Sequence, residues 1–181
     1  MHKSAEKLMR SLLAKYCPPS TTRRVLEPGA YLYGSDYPDG FPVGGYRSDI
    51  IKTGQSKLQI GVYTGLDLMP GPNVDVVASD PFHWPIEDAS YDLVISGQCM
   101  EHVTDLRAWM DEGFRVLVPG GLCIHIAPSG GPYHAFPIHC WLIMKDGMEW
   151  LLKESGFEIL EVNQHDVYPF NDCWGVGRKP S

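Results

Sequence analysis

Between Tyr91 and Ser129 the hydrophobic positions change period twice, and each change marks an element. Tyr91-Asp92-Leu93-Val94-Ile95-Ser96 is a short apolar run opened by an acid and closed by Ser96-Gly97, the pattern of a strand buried on both faces. From Val103 the residues Leu106, Trp109, Met110, Phe114 and Leu117 recur at helical spacing, with Thr104 and Asp105 placed to cap the start and Pro119-Gly120-Gly121 to stop it. Leu122-Cys123-Ile124-His125-Ile126-Ala127 is again a strand, ending at Pro128-Ser129-Gly130-Gly131. A strand, an amphipathic helix and a second strand, with a polar loop after each strand, predict half of a parallel α/β sheet.

The same reading extends both ways. Ala5, Leu8, Met9, Leu12, Leu13 and Tyr16 share one face of a leading helix that stops before Pro18-Pro19; it is expected either on the side of the domain where a ligand binds or as a plain packing helix without ligand contact. Arg24 to Glu27, Tyr63 to Asp67 and Val74 to Ala78 read as three further strands. Lys145 to Ser155 reads as a helix stopped by Gly156, followed by strands over Phe157 to Val162 and Cys173 to Arg178. The interval from Tyr31 to Ile60 holds Pro38, Pro42, five glycines and four tyrosines, which predicts a long ordered loop with a short helix beginning near Ser48. Its Tyr33, Tyr37, Phe41, Tyr46 and Arg47 either wall an acceptor pocket or pin the loop to the body.

Composition narrows the class. A chain of 181 residues with 44% hydrophobic content suits one domain over positions 1–181, with a leading helix in 1–20 and an inserted loop in 31–60. The formal charge of −7 and the lack of a basic run longer than Arg23-Arg24 argue against a nucleic-acid partner. Neither a long apolar span nor a signal-peptide core is present, so no membrane partner is expected and the location is expected to be cytoplasmic. The cysteines at 17, 99, 123, 140 and 173 are odd in number and scattered, which signals neither a disulfide framework nor a zinc site.

Tyr91-Asp92-Leu93-Val94-Ile95-Ser96, Glu101-His102-Val103 and Arg115-Val116-Leu117-Val118-Pro119-Gly120-Gly121-Leu122 together resemble the class I S-adenosylmethionine-dependent methyltransferases of the small type 11 kind, over roughly Val25 to Lys179. The resemblance implies a Rossmann-like three-layer α/β sandwich around a mostly parallel seven-stranded sheet whose last strand is antiparallel. It implies S-adenosylmethionine as cofactor and transfer of its methyl group to a small-molecule or glycan O or N acceptor. Glu27-Pro28-Gly29-Ala30 takes the place of the family's acid-x-Gly-x-Gly loop, with Tyr31 where the second glycine belongs. A glycine there lets backbone N–H groups approach the cofactor's carboxylate end. Asp67, followed by Leu68, is the ribose-binding acid by resemblance, although it falls forty residues beyond Glu27 in place of about twenty. Asp80 is placed beside the adenine amino group with Pro81 or Phe82 against the ring, and the loop from Ser96 completes the set.

Ligands of open α/β sheets lie beyond the carboxyl ends of the strands, so the loops beginning at Glu27, Asp67, Asp80, Ser96 and Pro128 are expected to share one cleft. Candidates for a general base are His134 and His139, which bracket the loop after the Leu122 to Ala127 strand, and then His102. Plain alternatives stand beside these roles: Asp80 caps a turn before Pro81, and His102 hydrogen-bonds backbone at a helix start. His125, in mid-strand, is expected to be structural. His134, His139, Cys140 and Asp172 have metal-ligand chemistry without diagnostic spacing, and no metal is expected. Loss of the second glycine leaves open a non-catalytic protein acting through a partner, whereas the absence of Gly-x-Gly-x-x-Gly disfavours a nicotinamide-dependent oxidoreductase. A lid comes from the 31–60 segment, from the 130–141 loop, or from the second subunit of a homodimer.

Overall fold

The computed structural model describes residues 3–17, 23–31, 60–135, 137–166 and 170–181. Seven strands form one sheet: β1 (Arg23–Pro28), β2 (Ile60–Asp67), β3 (Val76–Val77), β4 (Tyr91–Gly97), β5 (Leu117–Pro128), β6 (Glu158–Gln164) and β7 (Asp172–Arg178). Their order is β3-β2-β1-β4-β5-β7-β6, with β7 antiparallel to both neighbours and the β3-to-β5 pairings parallel. The predicted architecture, a mostly parallel seven-stranded sheet with the last strand antiparallel, is the one observed.

The central strands alternate between two apolar cores. Val25, Leu93, Ile95, Leu122, Ile124, Ile126, Trp174 and Val176 face helix α1 (Lys3–Tyr16), which adds Ala5, Met9, Leu12 and Leu13. Leu26, Val94, Cys123, Ala127 and Cys173 face the other way, toward helices α2 (Leu106–Val116) and α3 (Lys145–Glu154). The side chains toward the carboxyl ends of β1, β4 and β5 are thus buried on one face or the other, which is why these stretches read as near-continuous apolar runs. Helix α1 lies over the face of the sheet opposite α2 and α3, and none of its residues lines the cavity described below, which matches the plain packing role of the two placements expected from sequence. Ser4 Oγ donates to Asp172 Oδ2 at 3.1 Å and ties the start of α1 to β7.

Helix α2 begins where the capping signal put it, with the Asp105 carboxylate accepting the Ala108 N–H at 3.0 Å. It ends earlier than Pro119: Val116 is its last residue and Leu117 is already extended. Lys179 Nζ donates to the carbonyls of Phe114 and Leu117, both at 2.8 Å, placing a cation on the negative end of the helix. The Arg115 guanidinium donates to Trp84 O, Ile86 O and Asp88 as well as to Glu112, whose Oε2 accepts the Trp84 N–H at 2.6 Å. Helix α2 thereby fixes the loop between β3 and β4, which has no helix of its own.

Strand β3 is shorter than Val74 to Ala78, because at the sheet edge it pairs with β2 only through Val76 and Val77. The aromatic set Tyr33, Tyr37, Phe41, Tyr46 and Arg47 and the short helix near Ser48 lie outside the described residues. Among the described residues, no helix is long and apolar enough to cross a membrane.

Replacing Asp105 with Ala removes the side-chain N-cap of α2 and is expected to cost about 1 kcal/mol, lowering Tm by about 2–4 °C in a domain of this size. Thermal unfolding of the variant followed by circular dichroism checks this, and an unchanged Tm contradicts the capping role.

Candidate active site

Five of the loops leaving the sheet's carboxyl edge line one cavity of about 350 Å³, within the range of about 300–1,000 Å³ that holds small ligands. The loop after β1 supplies Pro28, Gly29 and Tyr31, and the end of β2 supplies Leu66, Asp67, Leu68 and Met69. Pro81 and Trp84 come from the loop after β3 and Gln98, Cys99, His102, Val103 and Thr104 from the loop after β4. Pro137 and Ile138 close the cavity from the loop after β5, and Trp109 of α2 floors it.

The glycine loop is built by hydrogen bonds to β2. Gly29 N–H and Ala30 N–H both donate to Leu66 O, at 2.9 and 3.2 Å, and Ser96 Oγ donates to Pro28 O at 3.1 Å. Gly29 has φ +78°, and a Cβ there would lie 2.5 Å from Cys99 Sγ, so the position takes glycine for both its conformation and its space. Tyr31, which stands where a second glycine was expected, does not fill the cavity. Its ring is a side wall lying against Gly71, where an added Cβ would come within 2.1 Å of Tyr31 Cε2. The Tyr31 N–H donates to Asp67 Oδ2 at 3.0 Å and the Leu68 N–H to Asp67 Oδ1 at 2.7 Å. The half-buried Asp67 carboxylate is held at the cavity wall by backbone on both sides.

Of the residues singled out from sequence, Pro28, Gly29, Asp67, Leu68, Pro81 and His102 line the cavity. Glu27, Ala30 and Ser96 do not: each is buried beneath the loop, with 1% or less of its surface exposed, and Ser96 braces β1 against β4. Asp80 caps a turn, its Oδ1 accepting the Phe82 N–H at 2.8 Å, and Phe82 packs on the apolar core instead of lining the cavity. The apolar wall expected of Phe82 comes from Trp84, whose Nε1–H donates to Pro81 O at 3.0 Å and whose ring meets that of Trp109 edge to face, 5.9 Å between centroids. Gln98, Cys99, Met69, Trp84, Trp109 and Ile138 escaped the sequence reading; Trp84, three residues after Pro81 and apolar within a turn-rich segment, is the one with a local signal.

The three candidate histidines gather at one edge. His102 borders the cavity, and His134 and His139 stack behind it with ring centroids 5.1 and 5.9 Å from that of His102. Both ring nitrogens of His139 meet backbone: Nδ1 accepts the His134 N–H and Nε2–H donates to Trp141 O, each at 3.1 Å. His102 Nδ1–H donates to Ile138 O at 2.6 Å and His134 Nδ1–H to Pro132 O at 3.1 Å, so each turns Nε2 inward. Between them lies Glu101, fully buried, with no hydrogen-bond partner on either carboxylate oxygen. Its Oε1 is 3.7 Å from His102 Nε2 and 3.9 Å from His134 Nε2.

Those separations suit an ion pair by distance yet exceed hydrogen-bond reach. Burial, with the like charge of Asp172 adding to it, pushes the Glu101 carboxyl up to about 8, and burial lowers the His102 pKa. Desolvation outweighs the weak attraction, and at neutral pH both groups are mainly uncharged. His125, buried against Trp109, is likewise pushed down to about 3 and is structural.

The "Methyltransferase domain" family model matches residues 54–125. A Mycolicibacterium smegmatis protein described as a probable S-adenosylmethionine-dependent methyltransferase is 32% identical over 94 residues, which are 49% of this chain and 37% of that protein. Over those stretches the chain is similar to S-adenosylmethionine-dependent methyltransferases, and its sheet has their Rossmann-like fold. Two solved methyltransferases of that fold superpose on this chain over nearly its whole length. One, from Mesorhizobium loti, is an S-adenosylmethionine-dependent methyltransferase with a TM-score of 0.63, 13% identity and coverage of 93% of this chain and 96% of the other. The other, 1,6-didemethyltoxoflavin-N1-methyltransferase of Burkholderia thailandensis, was solved with its acceptor and S-adenosylhomocysteine; its TM-score is 0.66 at 16% identity, over 99% and 78% of the two chains. At such identities the likeness is one of fold. The chain spans little more than a third of the length of the M. smegmatis relative.

Because Glu101 binds its proton more tightly folded than unfolded, its contribution is present below about pH 4.5 and is lost as pH rises through about 8. Replacing Glu101 with Gln is therefore expected to raise Tm relative to the parent far more at about pH 8.5 than at about pH 5. The check is thermal unfolding of both proteins at both pH values in buffer holding a chelator. An equal difference at the two pH values contradicts the buried neutral acid.

Proposed function

We propose that this chain binds S-adenosylmethionine in the 350 Å³ cavity and transfers its methyl group to an oxygen or nitrogen of a small-molecule or glycan acceptor. The observation that carries this reading is the joint placement of Gly29 and Asp67 on the wall of one cavity at the carboxyl ends of β1 and β2. The residues present fit the cofactor. Gly29, whose φ of +78° and contact with Cys99 exclude a side chain, presents bare backbone on the cavity wall, where a ligand's polar end can approach closely. The Asp67 carboxylate, already oriented by two N–H groups, suits a pair of ribose hydroxyls. Leu68, Pro81 and Trp84 offer an apolar surface for a purine ring.

S-adenosylmethionine, when bound, supplies a methyl group already activated by a sulfonium sulfur. The protein's share is then alignment and exclusion of water, with removal of a proton when the acceptor is an alcohol. Trp84, Trp109 and Val103 keep the inner end apolar. His102, Pro137 and Ile138 border the cavity away from Asp67 and form the acceptor side, where the partly buried imidazole of His102 is placed to bind or take up an acceptor proton. An N-acceptor such as that of the Burkholderia enzyme and an O-acceptor both suit this chemistry.

Calorimetric titration with S-adenosylmethionine and S-adenosylhomocysteine, with NAD as control, is expected to give micromolar binding of the first two alone. Changing Asp67 to Ala is expected to weaken that binding by about 1–3 kcal/mol, roughly 5- to 150-fold, the scale of lost charge-assisted hydrogen bonds. Unchanged affinity in a folded Asp67→Ala protein contradicts the ribose role, and absence of binding in the parent contradicts the function.

A further inference from the structure

A fully buried carboxylate without a hydrogen-bond partner is costly, and few native structures keep one without a purpose. Glu101 is such a group, and its Oε1 lies 3.7 and 3.9 Å from the Nε2 atoms of His102 and His134. We propose that Glu101, His102 and His134 form a binding site for a divalent transition-metal ion at the edge of the cavity. The donor set is one carboxylate oxygen and two imidazole nitrogens, which favours zinc, cobalt, iron or manganese over magnesium or calcium.

Three features of the geometry carry this. The three candidate ligand atoms lie within 4.8 Å of one another. Ions of this class bind such ligands at about 2.0–2.2 Å, which sets tetrahedral ligand atoms about 3.3–3.6 Å apart; the two carboxylate–imidazole separations of 3.7 and 3.9 Å already approach that, and small side-chain rotations close the rest. Both histidines donate Nδ1–H to a backbone carbonyl, Ile138 O and Pro132 O. That bond fixes the tautomer with the Nε2 lone pair facing Glu101, the usual support of a ligating histidine. The loop carrying these carbonyls is itself clamped to the Glu101 turn, since Cys140 N–H donates to Glu101 O at 2.7 Å and Trp141 Nε1–H to Val103 O at 2.7 Å.

His139 is not a ligand, because both of its ring nitrogens are engaged with backbone; it buttresses His134, 4.5 Å away between ring centroids. The set of His134, His139, Cys140 and Asp172 weighed from sequence is not assembled either. Cys140 is exposed, and Asp172 accepts hydrogen bonds from Ser4 and Gln98. His102 and His134 keep some exposure whereas Glu101 has none, so the remaining coordination positions open toward the histidine side, next to the cavity that His102 borders. On the methyl-transfer reading, which this consequence rests on, an ion there favours acceptors that offer an oxygen donor. His102 would then act by holding the ion, its lone pair no longer free for a proton.

The test is titration of chelator-stripped protein with cobalt(II), read by visible absorption, and with zinc(II), read by calorimetry, both without S-adenosylmethionine. One ion per chain is expected, with affinity at least tenfold weaker in Glu101→Gln and in His134→Ala, and unchanged in Cys140→Ser. No binding by the parent, or binding that Glu101→Gln and His134→Ala both retain, overturns the site. Because no S-adenosylmethionine is present, such a failure leaves the methyl-transfer reading standing; absence of cofactor binding in turn leaves the metal site standing.

Discussion

Burial of the central strands on both faces is the constraint from which the rest follows. With α1 over one face and α2 and α3 over the other, β1, β4 and β5 have no free surface for a ligand. Access is left at the strand ends, and parallel pairing brings the carboxyl ends of β1, β2 and β4 to the same edge. Loops from five places in the sequence therefore meet in one cavity. The packing that stabilises the sheet also fixes the loops, since Ser96 joins the ends of β4 and β1 and Arg115 of α2 holds the loop that carries Trp84.

The cavity's two ends differ in how their polar groups are satisfied. At the β2 end, Asp67 is ready for a ligand while already held by the N–H groups of Tyr31 and Leu68. At the β4 end, Glu101 is buried without any hydrogen-bond partner and is kept neutral by its surroundings. The first arrangement suits recognition of neutral hydroxyls. The second is a cost that the fold retains, and a cation between Glu101 and the two imidazoles would offset it.

Much of the sheet was legible because its evidence is local. The near-continuous apolar runs over Leu93 to Ile95 and Leu122 to Ala127, and the spacing of Leu8, Met9, Leu12 and Leu13, survive in any single window of sequence. The family resemblance then supplied the count of seven strands and the antiparallel last one, which periodicity alone does not contain. The site was legible where a strand-end residue also faces the cavity, as at Pro28, Gly29, Asp67 and His102. It was left open where the choice depended on which way a turn rolls: Asp80 caps Phe82, the plainer of its two readings, Pro81 lines the cavity where Phe82 does not, and Trp84 adds a wall with no counterpart in the sequence reading. The pairing of Glu101 with His134 spans two loops and rests on backbone carbonyls thirty residues on, so no spacing rule predicts it.

The central claim is that Asp67 and the Gly29 turn hold one cofactor between them. A crystal structure of the protein with S-adenosylhomocysteine tests it most directly. The account predicts ribose hydroxyls within hydrogen-bond distance of the Asp67 carboxylate, the amino-acid end beside Gly29 and the purine against Leu68, Pro81 or Trp84. Ligand bound elsewhere, or a cavity holding solvent alone at saturating ligand, would contradict it.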